Sequence, residues 1–160
     1  MKETGEKGAS RRESDFDAWV EIVQAEIWAR EEEEFSPRVV QAYRNPTHYG
    51  RLQDPDATGT SSGHKGYSVV VDLAVVREGK GTVKICEARF VTDGCGPVAA
   101  CAEVLCQMVE GTTIGEARAV TIDALDEELG GLPEGHRGGL SLSLNALGNA
   151  LDKLEGDRQN

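Results

Sequence analysis

The sequence predicts an α+β fold in which a small antiparallel sheet packs against helices. Residues 67–76 alternate apolar and polar side chains, as a half-buried strand does, and a glycine-containing turn at residues 77–81 joins them to a second strand over residues 82–92. Helical patterns precede and follow this hairpin. The last of them is a single apolar stripe formed by Leu140, Leu144, Leu147, Leu151 and Leu154. We therefore expect a sheet of about three strands and an additional helix at the N-terminal end.

The N-terminal segment is expected to have two parts. Residues 1–13 are polar and charged, which predicts a disordered arm. From Ser14, taken as the N-cap, residues 14–33 predict an amphipathic helix. Both tryptophans of the chain, Trp19 and Trp28, lie on this helix but on different faces. Two interpretations stay open: the helix docks a partner or a second subunit through the tryptophans, or it packs on its own domain with Trp28 partly covered.

Residues 34–155 are expected to form the main domain, followed by a short tail over residues 156–160. The pairs Ser36-Pro37 and Asn45-Pro46 begin and end its first helix, since proline fits the first helical position and disfavours helix in the residue before it. The polar stretch at residues 57–63 is expected to be a loop. At 160 residues, the chain is long enough to bury a core without disulfides or a structural metal.

Composition and charge exclude several functions. The net charge of -11 and the pI of about 4.7 argue against binding to nucleic acid or to an anionic membrane, because phosphates require a basic surface. No apolar run has the length of a signal sequence or a membrane span, so we expect a cytoplasmic protein. The four cysteines are then expected to be free thiols, metal ligands or redox groups. No catalytic motif is present, so we do not expect an enzyme.

One cysteine has the surroundings of a reactive thiol. Cys95 lies in the glycine-framed turn at residues 94–96, just before a helix that a proline opens. The free N–H groups and the dipole of a helix N-terminus favour an anion, so we expect Cys95 to be biased toward the nucleophilic, metal-binding thiolate. We expect the two glycines to adopt positive φ and to leave the sulfur uncovered. The apolar pattern assigns Cys86 and Cys101 to the core and leaves Cys106 open.

Four segments follow one another in a recognisable order along the chain. They are Tyr43-Arg44-Asn45-Pro46, Ala88 to Gly96, Glu127-Glu128-Leu129 and Leu132-Pro133. In this order they resemble the U-type iron-sulfur cluster assembly scaffolds, the family of the NifU N-terminal domain, over roughly residues 34–155. The resemblance implies the scaffold fold. It also implies a role in which sulfur from a cysteine desulfurase and iron are built into a 2Fe-2S cluster, which is passed to an apo-client protein with chaperone help.

The resemblance also implies which residues hold the cluster, and most of them are replaced. The family uses three cysteines, and only the middle one is present here, as Cys95. The first corresponds to Gly66, the assisting aspartate to Ser68 and the third cysteine to Gly139. The chaperone-binding segment is altered as well, at residues 132–136. Because a cluster needs about four thiolate or imidazole ligands, one protomer offers too few.

Three arrangements could compensate for the missing ligands. Cys95, His64 and His136 could bind iron or zinc, since imidazole suits both metals; the alternative is that both histidines are solvated. A homodimer could bridge one cluster with Cys95 from each protomer; the alternative is a monomer with an idle thiol. Cys95 with Cys101 or Cys106 could form a redox or persulfide relay, although core packing is the better interpretation of Cys101.

Two functions follow from these observations. In the first, the chain is a divergent scaffold in which Cys95 accepts persulfide sulfur or iron and passes it to a client protein. In the second, the fold has lost cluster binding and serves as a non-catalytic binding module or as an accessory subunit of a larger metalloenzyme complex. The replaced ligands favour the second function, and the intact turn from Gly94 to Pro97 favours the first.

Overall fold

The computed structural model describes residues 6–63 and 65–158, and it divides the chain into the units Met1–Glu34 and Phe35–Asn160. The first unit contains one helix, α1, over Glu6–Glu34. The predicted start at Ser14 and the predicted disorder of residues 6–13 are therefore corrected, whereas residues 1–5 lie outside the described residues. The physical reason is that extending an existing helix costs little, and residues 6–13 are rich in good helix formers.

The apolar side chains of α1 are exposed to solvent. The exposed fraction is 62% for Phe16, 59% for Trp19 and 46% for Trp28. Between residues 12 and 34, where side chains of α1 are described, none is buried. The rings of Phe16 and Trp19 are neighbours on the helix surface, with centroids 6.1 Å apart. This exposure is what docking through Trp19 and Trp28 would require, and the docking role stays a prediction.

The second unit forms a three-stranded antiparallel sheet covered by helices. Its strands follow the order β1-β2-β3. The elements are α2 (Pro37–Arg44), β1 (Ala57–Ser62), β2 (Ser68–Glu78), β3 (Thr82–Thr92), α3 (Gly96–Val109), α4 (Ile114–Arg118), α5 (Ile122–Glu128) and α6 (Gly138–Arg158). The prediction of an α+β fold with about three strands is confirmed. No helix in the described residues combines the length and the apolar character that a membrane span requires.

The core lies between the sheet and the long helices α3 and α6. From β2 it receives the alternating residues Val69, Val71 and Leu73, all of which are buried. The predicted leucine stripe of α6 is buried at Leu140, Leu147, Leu151 and Leu154, and Leu144 is partly buried. The α3 helix is apolar on most of its surface because it contacts α2, α6 and β3. Burial of these aliphatic side chains is the main stabilising contribution to the domain.

Strand β1 lies where the sequence suggested a loop, and glycine explains its position. A Cβ atom added at Gly59 would lie only 2.0 Å from the carbonyl oxygen of Ala146 and 2.4 Å from the amide nitrogen of Ala150. The α6 backbone therefore lies directly on β1, which glycine and two alanines permit. The loop prediction was wrong because small polar residues carry weak strand propensity, whereas here helix packing and pairing with β2 decide the conformation.

The outer edge of β1 is also covered by α6. Asn149 donates a hydrogen bond from Nδ2 to the carbonyl of Thr60 at 2.8 Å, and Lys153 donates from Nζ to the carbonyl of Thr58 at 2.6 Å. These bonds satisfy carbonyl groups that β2 does not reach. They protect an edge strand that would otherwise be open to pairing with another chain.

The assignment of Cys86 to the core was wrong, because β3 contains a bulge. The pairing between β2 and β3 shifts register here, passing from Glu87 to Ile85 and leaving Cys86 as the extra residue. Ile85 and Ala88 are both buried, so the alternation of faces is reset across the bulge and Cys86 is exposed.

Candidate functional site

Cys95 lies at the junction of β3 and α3. It is the N-cap residue of α3, in an extended conformation (φ -73°, ψ 175°), and Pro97 follows within the first turn of the helix. The cysteine side chain makes no capping hydrogen bond, and the residue is exposed. The predicted place of Cys95 at the helix N-terminus is therefore confirmed. The thiol is free to meet a reactant from outside.

The glycines beside Cys95 are needed for space rather than for a left-handed backbone. Neither Gly94 nor Gly96 has a positive φ, which corrects the prediction. A Cβ atom at Gly94 would lie 2.9 Å from Cβ of Val98, and one at Gly96 would lie 3.2 Å from the ring of Tyr43. The turn therefore fits between the first turn of α3 and an aromatic ring of α2. This close fit leaves the cysteine as the side chain that points out of the turn.

Cys95 lines a cavity of about 600 Å³. The end of β1 and the loop after it form one wall, the start of α3 forms the second, and the beginning of α6 with the turn before it forms the third. Lys65, His136 and Asn145 are among the polar residues that line it, and Pro97 and Leu142 are among the apolar ones. The three regions in which the sequence placed ligand positions therefore converge on one cavity.

Two of those three positions are glycines with different surroundings. Gly66 has φ +82° and no atom near its missing side chain, so the loop there takes a conformation that favours glycine. Lys65 and Tyr67, on either side of Gly66, line the cavity, and so does Gly139, where a Cβ atom would lie 2.9 Å from Cα of Val98 and 3.1 Å from Sγ of Cys101. The first position is thus open and the third is closed by the contact between α6 and α3.

The family described as the NifU-like N terminal domain matches residues 34–160. The chain belongs to this family. It is 32% identical over 117 residues to the iron-sulfur cluster assembly scaffold protein IscU 1 of Archaeoglobus fulgidus, an alignment that covers 73% of this chain and 74% of the relative. It is 29% identical over 119 residues to the nitrogen fixation protein NifU of Cereibacter sphaeroides, covering 74% of this chain and 47% of that protein.

Solved structures show the same fold. A crystal structure of an iron-sulfur cluster assembly scaffold protein for the SUF system from Fervidobacterium islandicum aligns with a TM-score of 0.57 at 16% identity, covering 74% of this chain and 97% of that one. The N-terminal part of a NifU-like protein from Brucella abortus aligns with a TM-score of 0.53 at 21% identity, covering 78% and 94%. The match to the family begins at residue 34, so α1 lies almost entirely outside it.

Placing a cysteine at Gly139, where the resemblance puts the third cysteine, is expected to destabilise this NifU-like domain. Because a Cβ atom at Gly139 would approach Val98 and Cys101 too closely, we expect the Gly139→Cys variant to lose about 1–3 kcal/mol of unfolding free energy. Urea unfolding checks this, with Gly138→Cys as the matched control, since a Cβ at Gly138 meets nothing within 4 Å. Equal stability of the two variants would show that the third position has room for a ligand.

The two buried cysteines offer no ready partner for Cys95. Cys101 is buried, as predicted, and burial together with the charge of Asp126 raises the pKa of its thiol to about 12. Burial, Glu103 and Glu110 also raise the pKa of Cys106. Both thiols are therefore protonated at neutral pH. Because the thiolate is the nucleophile, this argues against a relay from Cys95 to either of them.

The structure describes two of the three residues of the predicted metal site. Cys95 and His136 line the same cavity, and the His136 ring packs edge-on against Phe35 with centroids 4.9 Å apart. His64 lies outside the described residues. Within residues 6–63 and 65–158, no group of three or more His, Cys, Asp or Glu side chains is placed to hold a metal. The site of Cys95, His64 and His136 for iron or zinc stays a prediction.

The sequence analysis missed Glu103, a buried carboxylate of α3 that forms hydrogen bonds with the loop after α2. Glu103 accepts hydrogen bonds from the amide and hydroxyl groups of Thr47 at 2.8 and 2.6 Å, from the amide of His48 at 2.9 Å and from Nε2 of Gln107 at 2.9 Å. Burial alone would raise the pKa of Glu103, but these bonds lower it to about 2. A single acidic residue inside the apolar pattern of α3 was the signal that could have revealed this network.

Proposed function

We propose that this NifU-like domain carries sulfur for iron-sulfur cluster assembly on the single thiol of Cys95. One observation supports this most strongly: an exposed cysteine at the N-cap of α3 lines a cavity in which the position that the resemblance assigns to the third cysteine is Gly139. Among the described residues that line the cavity, only Cys95 and His136 are of the thiolate and imidazole types that hold a cluster, fewer than the about four ligands it needs. A single accessible thiol is sufficient to accept and return one sulfur atom.

The proposed chemistry is persulfide exchange. The Cys95 thiolate attacks the outer sulfur of a donor persulfide, the sulfur–sulfur bond of the donor breaks, and the donor thiolate leaves with the electron pair. Cys95 then carries the persulfide, and a thiolate on the client removes the outer sulfur by the same reaction. No oxidant or reductant is consumed. Cys95 lies at the N-terminus of α3, where the helix dipole is positive, and this position suits a reaction that passes through a thiolate.

Partners follow from this chemistry. A cysteine desulfurase is the proposed donor, because it produces a persulfide, and an apo-client protein is the proposed acceptor. The relatives of this chain are iron-sulfur cluster assembly scaffold proteins and nitrogen fixation proteins. A homodimer that bridges a cluster through Cys95 of both protomers is a different use of the same thiol, and metal content distinguishes it from sulfur transfer.

Mapping the transferred sulfur tests the proposal. The purified chain is incubated anaerobically with a cysteine desulfurase and cysteine, and intact-mass and peptide mass spectrometry follow. We expect one added sulfur atom on Cys95, complete loss of it in Cys95→Ala, and no loss in Cys86→Ala. Cys86 is the matched control, because it is the other exposed cysteine. Sulfur bound equally to both cysteines, or retained in Cys95→Ala, would contradict the proposal.

A second candidate function is a non-catalytic binding module or an accessory subunit of a larger metalloenzyme complex. The exposed apolar side chains of α1 favour it, because a partner would cover them. In this case Cys95 has no chemical role. A chain that takes up no sulfur from an active desulfurase would support the binding module and exclude the sulfur carrier.

A further inference from the structure

The chain is strongly acidic, but the described residues that line the cavity are not. The protein contains 28 acidic residues and has a net charge of -11. None of the described residues that line the cavity is an aspartate or a glutamate. The titratable side chains among them are Lys65, Tyr67, Cys95 and His136. The cavity lining therefore contains no described carboxylate that would repel a small anion.

The cavity walls also contain hydrogen-bonding groups that are available to a ligand. Ser61, Ser62 and Asn145 line the cavity, and no other side chain in the described part of the protein engages their hydroxyl and amide groups. Val98 and Leu142 add an apolar surface beside them. A volume of about 600 Å³ lies in the range of sites that hold small molecules. The lining thus suits a ligand with a negative end and a short apolar stem.

We infer that the cavity also accepts a second sulfur donor beside the desulfurase, a small thiol persulfide that carries a carboxylate and presents its outer sulfur to Cys95. The inference rests on the proposed function, because Cys95 must be the sulfur acceptor. Lys65 takes the carboxylate, and the serine hydroxyls and the Asn145 amide hydrogen-bond to it. The apolar wall contacts the carbon stem. The Cys95 thiolate attacks the outer sulfur, the sulfur–sulfur bond breaks, and the small thiolate leaves with the electron pair.

Charge-selective disulfide exchange tests the inference. In a Cys86→Ala background, which removes the other exposed thiol, the rate of mixed-disulfide formation at Cys95 is measured with anionic dithiodipropionate and with cationic cystamine. The readout is the ratio of the two rates. We expect Lys65→Gln to lower this ratio about 3- to 10-fold, through loss of one partly screened charge pair. Asn145→Asp, a nearly isosteric change that adds a negative charge, is expected to lower it as well.

Lys80→Gln is the control, because Lys80 lies in the hairpin turn outside the cavity. The rate ratio in this variant should equal that of the parent protein. A ratio that stays unchanged in both Lys65→Gln and Asn145→Asp would overturn the inference. If Cys95 nevertheless takes sulfur from the desulfurase, the sulfur-carrier function survives and the donor is a protein. If charge selectivity is found but no sulfur is accepted, the anionic site stands and the sulfur-carrier function fails.

Discussion

Replacing Gly59 by alanine is expected to lower the free energy of unfolding by about 3 kcal/mol, the upper end of the range for overpacked positions. The added Cβ would lie 2.0 Å from a backbone oxygen of α6, and backbone atoms cannot move aside as a flexible side chain can. The helix must shift away from β1, which also weakens the hydrogen bonds from Asn149 and Lys153 to the strand. Urea unfolding measures the loss.

Gly148→Ala is the matched control on the same helix. A Cβ there meets nothing within 4 Å, so the greater helix propensity of alanine is expected to stabilise the protein by up to about 1 kcal/mol. A lower free energy of unfolding in Gly59→Ala together with a higher one in Gly148→Ala would support the close contact between α6 and β1. If Gly59→Ala is as stable as the parent protein, the proposed reason for β1 being a strand is wrong.

Glu103 is expected to make the protein sensitive to acid. Its pKa is about 2 in the folded protein, below the ordinary value of 4.5, which corresponds to about 3 kcal/mol of stability. Because the folded pKa is the lower one, this contribution is fully present above about pH 4.5 and is lost as the pH falls toward about 2. The Glu103→Gln variant lacks this ionisation. It should be less stable than the parent near neutral pH and approach it as the pH falls.

Unfolding of both proteins at several pH values between neutral and acid checks this expectation. Glu155→Gln is the control, because Glu155 is half exposed in its ion pair with Arg118, and we expect an effect below about 1 kcal/mol at any pH. A constant difference between Glu103→Gln and the parent across the pH range would show that the carboxylate network does not depend on ionisation.

Much of the fold could be predicted from local signals. Ser36 caps α2 as expected, with its Oγ accepting from the amide of Val39 at 3.2 Å, and Asn45 ends that helix. The β2–β3 hairpin and the leucine stripe of α6 were also predicted, because alternation and helical spacing are set by neighbours in sequence. At the site, the position of Cys95 just before α3 was predicted, and Cys95, His136 and Gly139 line one cavity, while their role as a site stays a prediction.

Features that depend on distant residues could not be predicted. The exposure of Cys86 depends on a bulge that only the pairing with β2 reveals. Asp72 lies on the strand face expected to meet solvent, yet it is buried because Arg51, Leu52 and Thr58 donate hydrogen bonds to its carboxylate. The charge character of the cavity depends on three separate segments. No local pattern brings together residues from β1, α3 and α6.

Three quantities measured in one anaerobic sample distinguish a sulfur carrier from a cluster scaffold. Iron, acid-labile sulfide and persulfide sulfur per chain are determined after incubation with a cysteine desulfurase, cysteine and iron, beside a Cys95→Ala sample. For a sulfur carrier we expect one persulfide sulfur on each chain, little iron or acid-labile sulfide, and no persulfide sulfur in the variant. Iron and acid-labile sulfide in cluster proportions that disappear in Cys95→Ala would contradict it, and would show that the chain assembles a cluster.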